Sequence, residues 1–419
     1  MTTTTSSLRT SALQRFLRYV TYDTQSDPGS ATIPSTARQL VLLDALVDEL
    51  KALGLTDALR DDRGIVTATI PATTTKKNVP VIGFVAHVDT SPESSGAGVK
   101  PIVHTGWKGE DIVLPDDPSQ VLRLREIPEL REQIGNDVIT ASGRTLLGAD
   151  NKAGVAEIVA AAEYFVAHPE IPHGPVRIGF TPDEEIGRGA DKFDVKRFGA
   201  FCAYTMDGSG RGEFEIETFS GDAMTVTFQG FNTHPGQARG RMINAIKVAA
   251  DFIQRLPKDR LSPETTAGRE GFVHPYIVNA SVDRTSVKFI IRDFVTAGLA
   301  EKESFIERTA RETVAAWPGA AVSFQVDESY RNMKEILDRF PQVAEYGREA
   351  IRRAGLEVRE TAIRGGTDGS RLSFMGLPTP NIFAGENNFH SKLEWVSAQD
   401  MEKAVEVIVQ LARIWEEKA

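Results

Sequence analysis

The sequence predicts an α/β protein in two parts, a doubly wound sheet domain over residues 1–215 and 331–419 and a smaller βαββαβ domain inserted at 216–330. Three observations carry this prediction. Stretches that are nearly continuously apolar and β-branched, such as 79–88 and 176–180, alternate with helical patterns, and strands buried on both faces of a parallel sheet have that composition. A small-residue cluster, Gly208, Ser209, Gly210 and Gly212, suits a hinge, and beyond it the strands alternate apolar with polar. The length of 419 residues exceeds what one core usually holds.

Taken in order, apolar positions at helical spacing predict surface helices over 13–20 and 40–53, the second stopped by Gly54. The polar stretch MTTTTSSLRT ahead of them has neither an early basic region nor an apolar run, so it is read as a frayed lead-in and not as a secretory signal. A strand at 64–70 precedes the apolar strand at 79–88. A helix at 153–166 separates that strand from 176–180, and shorter apolar strands follow at 203–206 and 380–383. In the inserted domain, strands are expected at 223–229, 276–282, 286–292 and 321–326, the middle two joined by a turn at 283–285. Helices at 242–256 and 299–317 fall between them. The order β, α, β, β, α, β is that of a ferredoxin-like split βαβ sandwich.

Composition narrows the function. Hydrophobic residues make up 41% and charged residues 25%, as in soluble domains, and no apolar run approaches the roughly 18 residues needed to span a bilayer. No membrane partner is expected. A net charge of -10 argues against nucleic acid, whose binding is driven by clustered Lys and Arg that release counterions. The single cysteine, Cys202, leaves no internal disulfide and suits a reducing compartment, so a cytoplasmic location is expected. No nucleotide-binding glycine fingerprint is present, because residues 208–212 do not open a helix after a strand in the required way.

Five stretches carry chemistry. The strand ending at 85 runs into Ala86, His87, Val88, Asp89. Side chains two apart on an extended backbone share a face, which suits a ligating imidazole and the acceptor that fixes its tautomer. Asp89 can orient His87 directly or through the local backbone. Asp150, in LLGADNKAG, stands where an N-cap would stand; capping alone would be worth about 1 kcal/mol. Asp183, Glu184 and Glu185 follow the strand at 176–180, Asp207 follows the strand at 203–206, and His390 follows the strand at 380–383. Each has a bland reading as a cap or a solvated loop. Their joint placement does not, because loops leaving the carboxyl ends of parallel strands converge on one edge, where open α/β sheets bind ligands.

Two histidines and several carboxylates without a thiolate match zinc, manganese or cobalt in a catalytic site rather than a structural one. Two ions about 3.5 to 4 Å apart need a bridging carboxylate, polarise a carbonyl and lower the pKa of a shared water toward ~7. One carboxylate then has to stay unligated as the general base.

The segments AHVDT, LLGADNKAG, TPDEEIG, MDG and NNFHSKLEWV resemble the five metal-site motifs of the M20 metallopeptidase family. Carried over residue by residue, the resemblance implies two zinc ions, with manganese or cobalt as substitutes. His87 and Asp207 would hold one ion, Glu185 and His390 the other, and Asp150 would bridge them. Asp89 would orient His87, and Glu184 would be the general base for attack by a metal-bridging hydroxide. It also implies a zinc-peptidase-like catalytic domain, a cis peptide between Asp150 and Asn151, and an inserted lid or dimerisation domain able to form a homodimer. RGGTDGSRLSFMGLPTPN from Arg364, IIRDF from Ile290 and FNTHPGQA from Phe231 resemble the tripeptide-cleaving aminopeptidases of that family. On that likeness Arg364 would hold the substrate's terminal carboxylate and His234 would stabilise the oxyanion. His104, His168, His173 and His274 fall outside the motifs.

Two rivals remain. Another hydrolase of the family, acting on a dipeptide or an N-acyl amino acid, shares the metal chemistry and differs in substrate. A metal or peptide binder without catalysis has no need of the unligated Glu184.

Overall fold

The computed structural model describes residues 2–419, with side chains from Ser7 on. In chain order, helices α1 (Thr2–Tyr19) and α2 (Arg38–Ala52) precede strands β1 (Leu59–Arg60), β2 (Val66–Ile70) and β3 (Ile82–His87). Helix α3 (Ala149–Ala167) leads to β4 (Val176–Thr181), β5 (Cys202–Gly208) and β6 (Glu213–Thr218). Then come β7 (Ser220–Gln229), α4 (Ala245–Arg255), β8 (Phe272–Ala280), β9 (Arg284–Asp293), α5 (Thr296–Ala315) and β10 (Ala321–Tyr330). Helix α6 (Pro341–Arg353), strand β11 (Arg359–Ile363), helix α7 (Asp368–Phe374), strand β12 (Asn381–Phe383) and helix α8 (Ala398–Glu417) follow.

The chain divides into two compact units. The larger runs up to Ile216 and resumes over Glu335–Thr361 and Thr367–Ala419. Its sheet has the order β1-β2-β4-β3-β5-β12-β6-β11. The centre, β4-β3-β5-β12, is parallel, whereas β2 pairs with β4 and β6 with β12 antiparallel. Both faces are covered. On one, α3 packs against β3 and β5, with α1 and α8 beyond it; Phe84 stacks on Tyr204, whose hydroxyl accepts from Trp415 Nε1 at 3.1 Å. On the other, Val85 and Ala203 pack with Phe193, Phe198 and Leu372. This is the double winding expected of near-continuous apolar strands.

Three features differ from the sequence reading. The polar lead-in is helical from Thr2, because Leu8, Ala12, Phe16 and Tyr19 form one buried stripe that extends the helix predicted from 13; Met1 lies outside the described residues. The glycine cluster at 208–212 is a tight turn from β5 into β6, a strand of mixed burial that apolar runs do not reveal. A second, four-stranded antiparallel sheet of Glu386–Asn387, Trp395–Ser397, Val138–Thr140 and Ile102–His104 also escapes notice, since its strands are two or three residues long.

The smaller unit comprises Glu217–Lys334 and the short segment Ala362–Gly366. Its antiparallel sheet has the order β8-β9-β7-β10. With helices α4 and α5 this is the ferredoxin-like arrangement. Met224, Val226 and Phe228 alternate along β7 and meet Val248 and Phe252 of α4 and Ile306 of α5 in the core. Among the described residues, no helix is long and apolar enough to cross a membrane.

Candidate metal centre

The site lies in the larger unit, at the carboxyl end of the parallel strands. His87 ends β3 opposite Thr181 of β4. Its ring is buried; Nε2 faces Asp150 Oδ1 at 2.9 Å and Asp207 Oδ1 at 3.4 Å. Behind it, Nδ1 lies 3.1 Å from the Asp89 carbonyl oxygen and 3.3 Å from Asp89 Oδ1. Both routes for orienting the imidazole are therefore present. The buried Asp89 carboxylate does more, accepting from the backbone N–H of Glu184 at 2.9 Å and of Glu185 at 3.2 Å. The strand that presents His87 thereby also sets the turn that presents the two acids.

That turn is pinned from its other side. Asp183 is in the left-handed region at φ 61, where a non-glycine residue is strained and has to be held. Its buried carboxylate accepts from the Ser35 N–H at 2.6 Å, from the Ser35 hydroxyl and from Gln39 Nε2 at 2.7 Å, and its own N–H donates to Gln39 Oε1. Glu185 then reaches His390, with Oε2 2.8 Å from Nε2. Glu184 Oε2 stays 4.0 Å from His87 Nε2.

Asp150 opens α3 after Gly148, which takes φ 81, and the Asp150–Asn151 peptide is cis. Further along α3, Gly154 lets the helix touch β5: a Cβ there would stand 2.0 Å from the Met206 carbonyl oxygen. The two Asp150 oxygens face opposite ways, Oδ1 toward His87 and Oδ2 toward His390 Nε2 at 3.3 Å. His390 itself sits at φ 58 in the loop between the strands Glu386–Asn387 and Trp395–Ser397, with Nδ1 3.2 Å from Glu93 Oε2.

Charge in this cluster is poorly balanced. Burial raises the Glu184 carboxyl well above its usual range, with Asp207, Asp368 and Glu185 adding to the effect and His87 opposing it. Burial raises Glu185 and Asp207 too, the nearby Asp150 contributing to both. For Asp150 burial is outweighed by His390 and His87, which hold it below the ordinary carboxylate range. Both imidazoles are raised despite burial, His87 by Asp207 and Asp150 and His390 by Asp150 and Glu185. Crowded acids that hold protons in the absence of a cation are what a bound cation would neutralise.

The donors fit two ions. One ligand atom from each of His87, Asp150 and Asp207 lies within 4.8 Å of the others, and the same holds for Asp150, Glu185 and His390. Asp150 belongs to both groups and Glu184 to neither. Nitrogen and oxygen donors without sulfur are the chemistry of borderline and hard divalent metals.

Arg364 and His234 belong to the smaller unit. The Arg364 guanidinium lies over Phe219 and Phe272, 5.1 and 5.8 Å from the ring centroids. Nη1 donates to the Gly268 and Glu270 carbonyls, and Nη2 to the Thr266 hydroxyl. His234 Nδ1 accepts from the Gly236 N–H at 3.2 Å. Sequence reasoning passed over Glu93, Asp368 and Glu394. Asp368 accepts from the Thr181 hydroxyl at 2.7 Å, and burial pushes its carboxyl up to about 6. Asp368 falls in the RGGTDG segment and Glu394 in the NNFHSKLEWV segment, and those were the available signals; Glu93 carries none.

Residues 216–317 match the family model described as a peptidase dimerisation domain of M20 proteins. Over 407 residues the chain is 47% identical to peptidase T of Geobacillus kaustophilus, covering 97% of this chain and 98% of that protein. The chain belongs to the peptidase T family. Solved structures agree on the fold. Aminopeptidase PepT from Bacillus cereus superposes with a TM-score of 0.74 at 22% identity, covering 97% of this chain and 98% of that one. A tripeptidase from Staphylococcus aureus superposes with a TM-score of 0.75 at 21% identity, covering 98% and 99%. The doubly wound unit with a ferredoxin-like insertion is thus a fold shared with these two structures.

Proposed function

We propose that this chain is a metal-dependent aminopeptidase that releases the N-terminal residue of tripeptides. The observation that carries the reading is Asp150, whose two oxygens face two separate histidine–carboxylate groups while Glu184 stays outside both. His87 and Asp207 would hold one ion, Glu185 and His390 the other, with Asp150 shared. Zinc, or manganese or cobalt in its place, supplies there a Lewis acid for the peptide carbonyl and lowers the pKa of a water toward ~7. Glu184 takes the proton from the attacking water and hands it to the leaving amine. Asp89 keeps His87 in one tautomer and fixes the backbone from which Glu184 projects. The peptidase T relatives support the substrate class, as do the two similar structures, one of an aminopeptidase and one of a tripeptidase.

Arg364 is proposed for the substrate's terminal carboxylate, since a planar guanidinium offers a two-pronged donor set. In that role the carboxylate would take over donors that Thr266, Gly268 and Glu270 now occupy. His234 is proposed as the oxyanion donor. A homodimer is proposed through the smaller unit, on the dimerisation-domain match, and a cytoplasmic setting on the single buried thiol of Cys202.

The test is a tripeptide panel, free and N-acetylated, assayed after chelation and again after adding zinc, manganese or cobalt. Chelation abolishes cleavage, metal restores it, and only free-amine tripeptides are cut. Failure of every tripeptide with all three metals would overturn the proposal; faster cleavage of acylated substrates would favour the deacylase rival.

A further inference from the structure

Glu394 is an acid that none of the steps above employs. It stands at the end of the loop that carries His390 and is 1% exposed. Its Oε2 accepts from the backbone N–H of Leu147 and of Gly148, both at 2.8 Å, and its Oε1 from the N–H of Asp150 at 3.0 Å. All three donors come from the turn that opens α3. No side chain caps this turn locally at Gly148. A carboxylate from a segment more than two hundred residues away in sequence satisfies three N–H groups of a turn that stands ahead of the regular helix, since Asp150 and Asn151 still have non-helical backbone angles. The His390 loop at the other end of this tie is braced internally, Asn388 Nδ2 donating to the Leu393 carbonyl at 3.1 Å and the Ser391 hydroxyl to the Asn388 carbonyl at 2.7 Å.

We infer that Glu394 is a positioning residue of the metal centre, locking the backbone of Asp150 to the loop that presents His390. The inference rests on the reading of Asp150 and His390 as ligands of one ion. Those two side chains come from different elements and have to meet within a few tenths of an ångström, and a single buried carboxylate spans both. Glutamine cannot replace it. An amide has one oxygen, so its NH2 group would face either the Asp150 N–H or those of Leu147 and Gly148, leaving buried donors without an acceptor.

The experiment is calorimetric titration of the chelated wild type and E394Q with zinc, alongside thermal unfolding of both chelated proteins and steady-state kinetics. The wild type binds two equivalents. Folded E394Q binds the equivalent shared by Asp150 and His390 about 10–100-fold more weakly and loses kcat by a similar factor. KM changes little, and excess zinc restores part of the kcat. A merely structural role would lower the unfolding temperature of the chelated protein without changing the zinc affinity of the folded fraction, and that result overturns the inference. So does E394Q with wild-type affinity for both ions. E394D keeps the charge one methylene short and is measured in the same way should E394Q not fold; if neither folds, the role is structural and the inference falls. A wild type that binds no second equivalent removes the functional reading itself, whereas wild type and variant both binding two equally removes only the role given to Glu394.

Discussion

His87 and His390 face the two oxygens of Asp150 from supports of opposite kind. His87 ends a strand buried on both faces, with 2% of its side chain exposed and its outer nitrogen against the buried Asp89. His390 stands in a short loop at a left-handed backbone position, with 35% exposed and its outer nitrogen against Glu93, an acid that is 70% exposed. A packed core fixes the first ring. The second depends on a few hydrogen bonds within its loop and on the tie from Glu394. The difference teaches that the two halves of one centre need not be equally rigid: the His87 half is part of the fold, and the His390 half is added to it. The ion proposed for His87 and Asp207 is accordingly expected to bind more tightly than the one proposed for Glu185 and His390.

The comparison can be broken outright at the residue the halves share. Asp150→Ala should abolish binding of both ions and all measurable cleavage; retention of one tight equivalent would mean that the halves do not share a ligand. Next in size, His390→Ala should lose one equivalent and keep the other near wild-type affinity, while His87→Ala should weaken both. Equal losses in the two variants, read by zinc titration, would contradict the unequal supports.

A pH series sharpens the same point. His390 is raised from its ordinary value by Asp150 and Glu185 against the effect of burial, so in the chelated protein it carries a proton at neutral pH. That proton has to leave before the ring can bind metal. Affinity for the second ion should therefore rise with pH, by roughly tenfold per unit for each proton released. An affinity flat between pH 6 and 8 would show that no proton leaves.

Much of this centre was legible in the residues because apolar parallel strands point their ends at one edge. His87, Asp207 and the Glu184–Glu185 pair each follow such a strand, and the structure places them together with Asp150 and His390. What stayed illegible lacks any period. Glu93 is a single acid in a polar loop, and although Glu394 stands in the NNFHSKLEWV segment, nothing in the order of residues says that it would gather three N–H groups of a distant turn or that Glu93 would back a histidine. Strands of two or three residues, such as Trp395–Ser397, are too short for alternation to register. Thr- and Ser-rich residues ahead of Leu8 mask a helix whose register is set by Leu8, Ala12 and Phe16. Ala362–Gly366, which carries Arg364, lies outside the inserted stretch in sequence but packs in the smaller unit, a long-range contact that no local signal announces.

In the proposed centre two ions share Asp150 while Glu184 remains free to move a proton. Glu184→Gln tests it most directly, with zinc titration and tripeptide turnover measured on the same preparation. The variant is expected to bind two zinc equivalents at wild-type affinity and to have a kcat lower by about 10²–10⁴-fold, the contribution of a positioned general base. Turnover at the wild-type rate, or loss of a zinc equivalent from the variant, would contradict it.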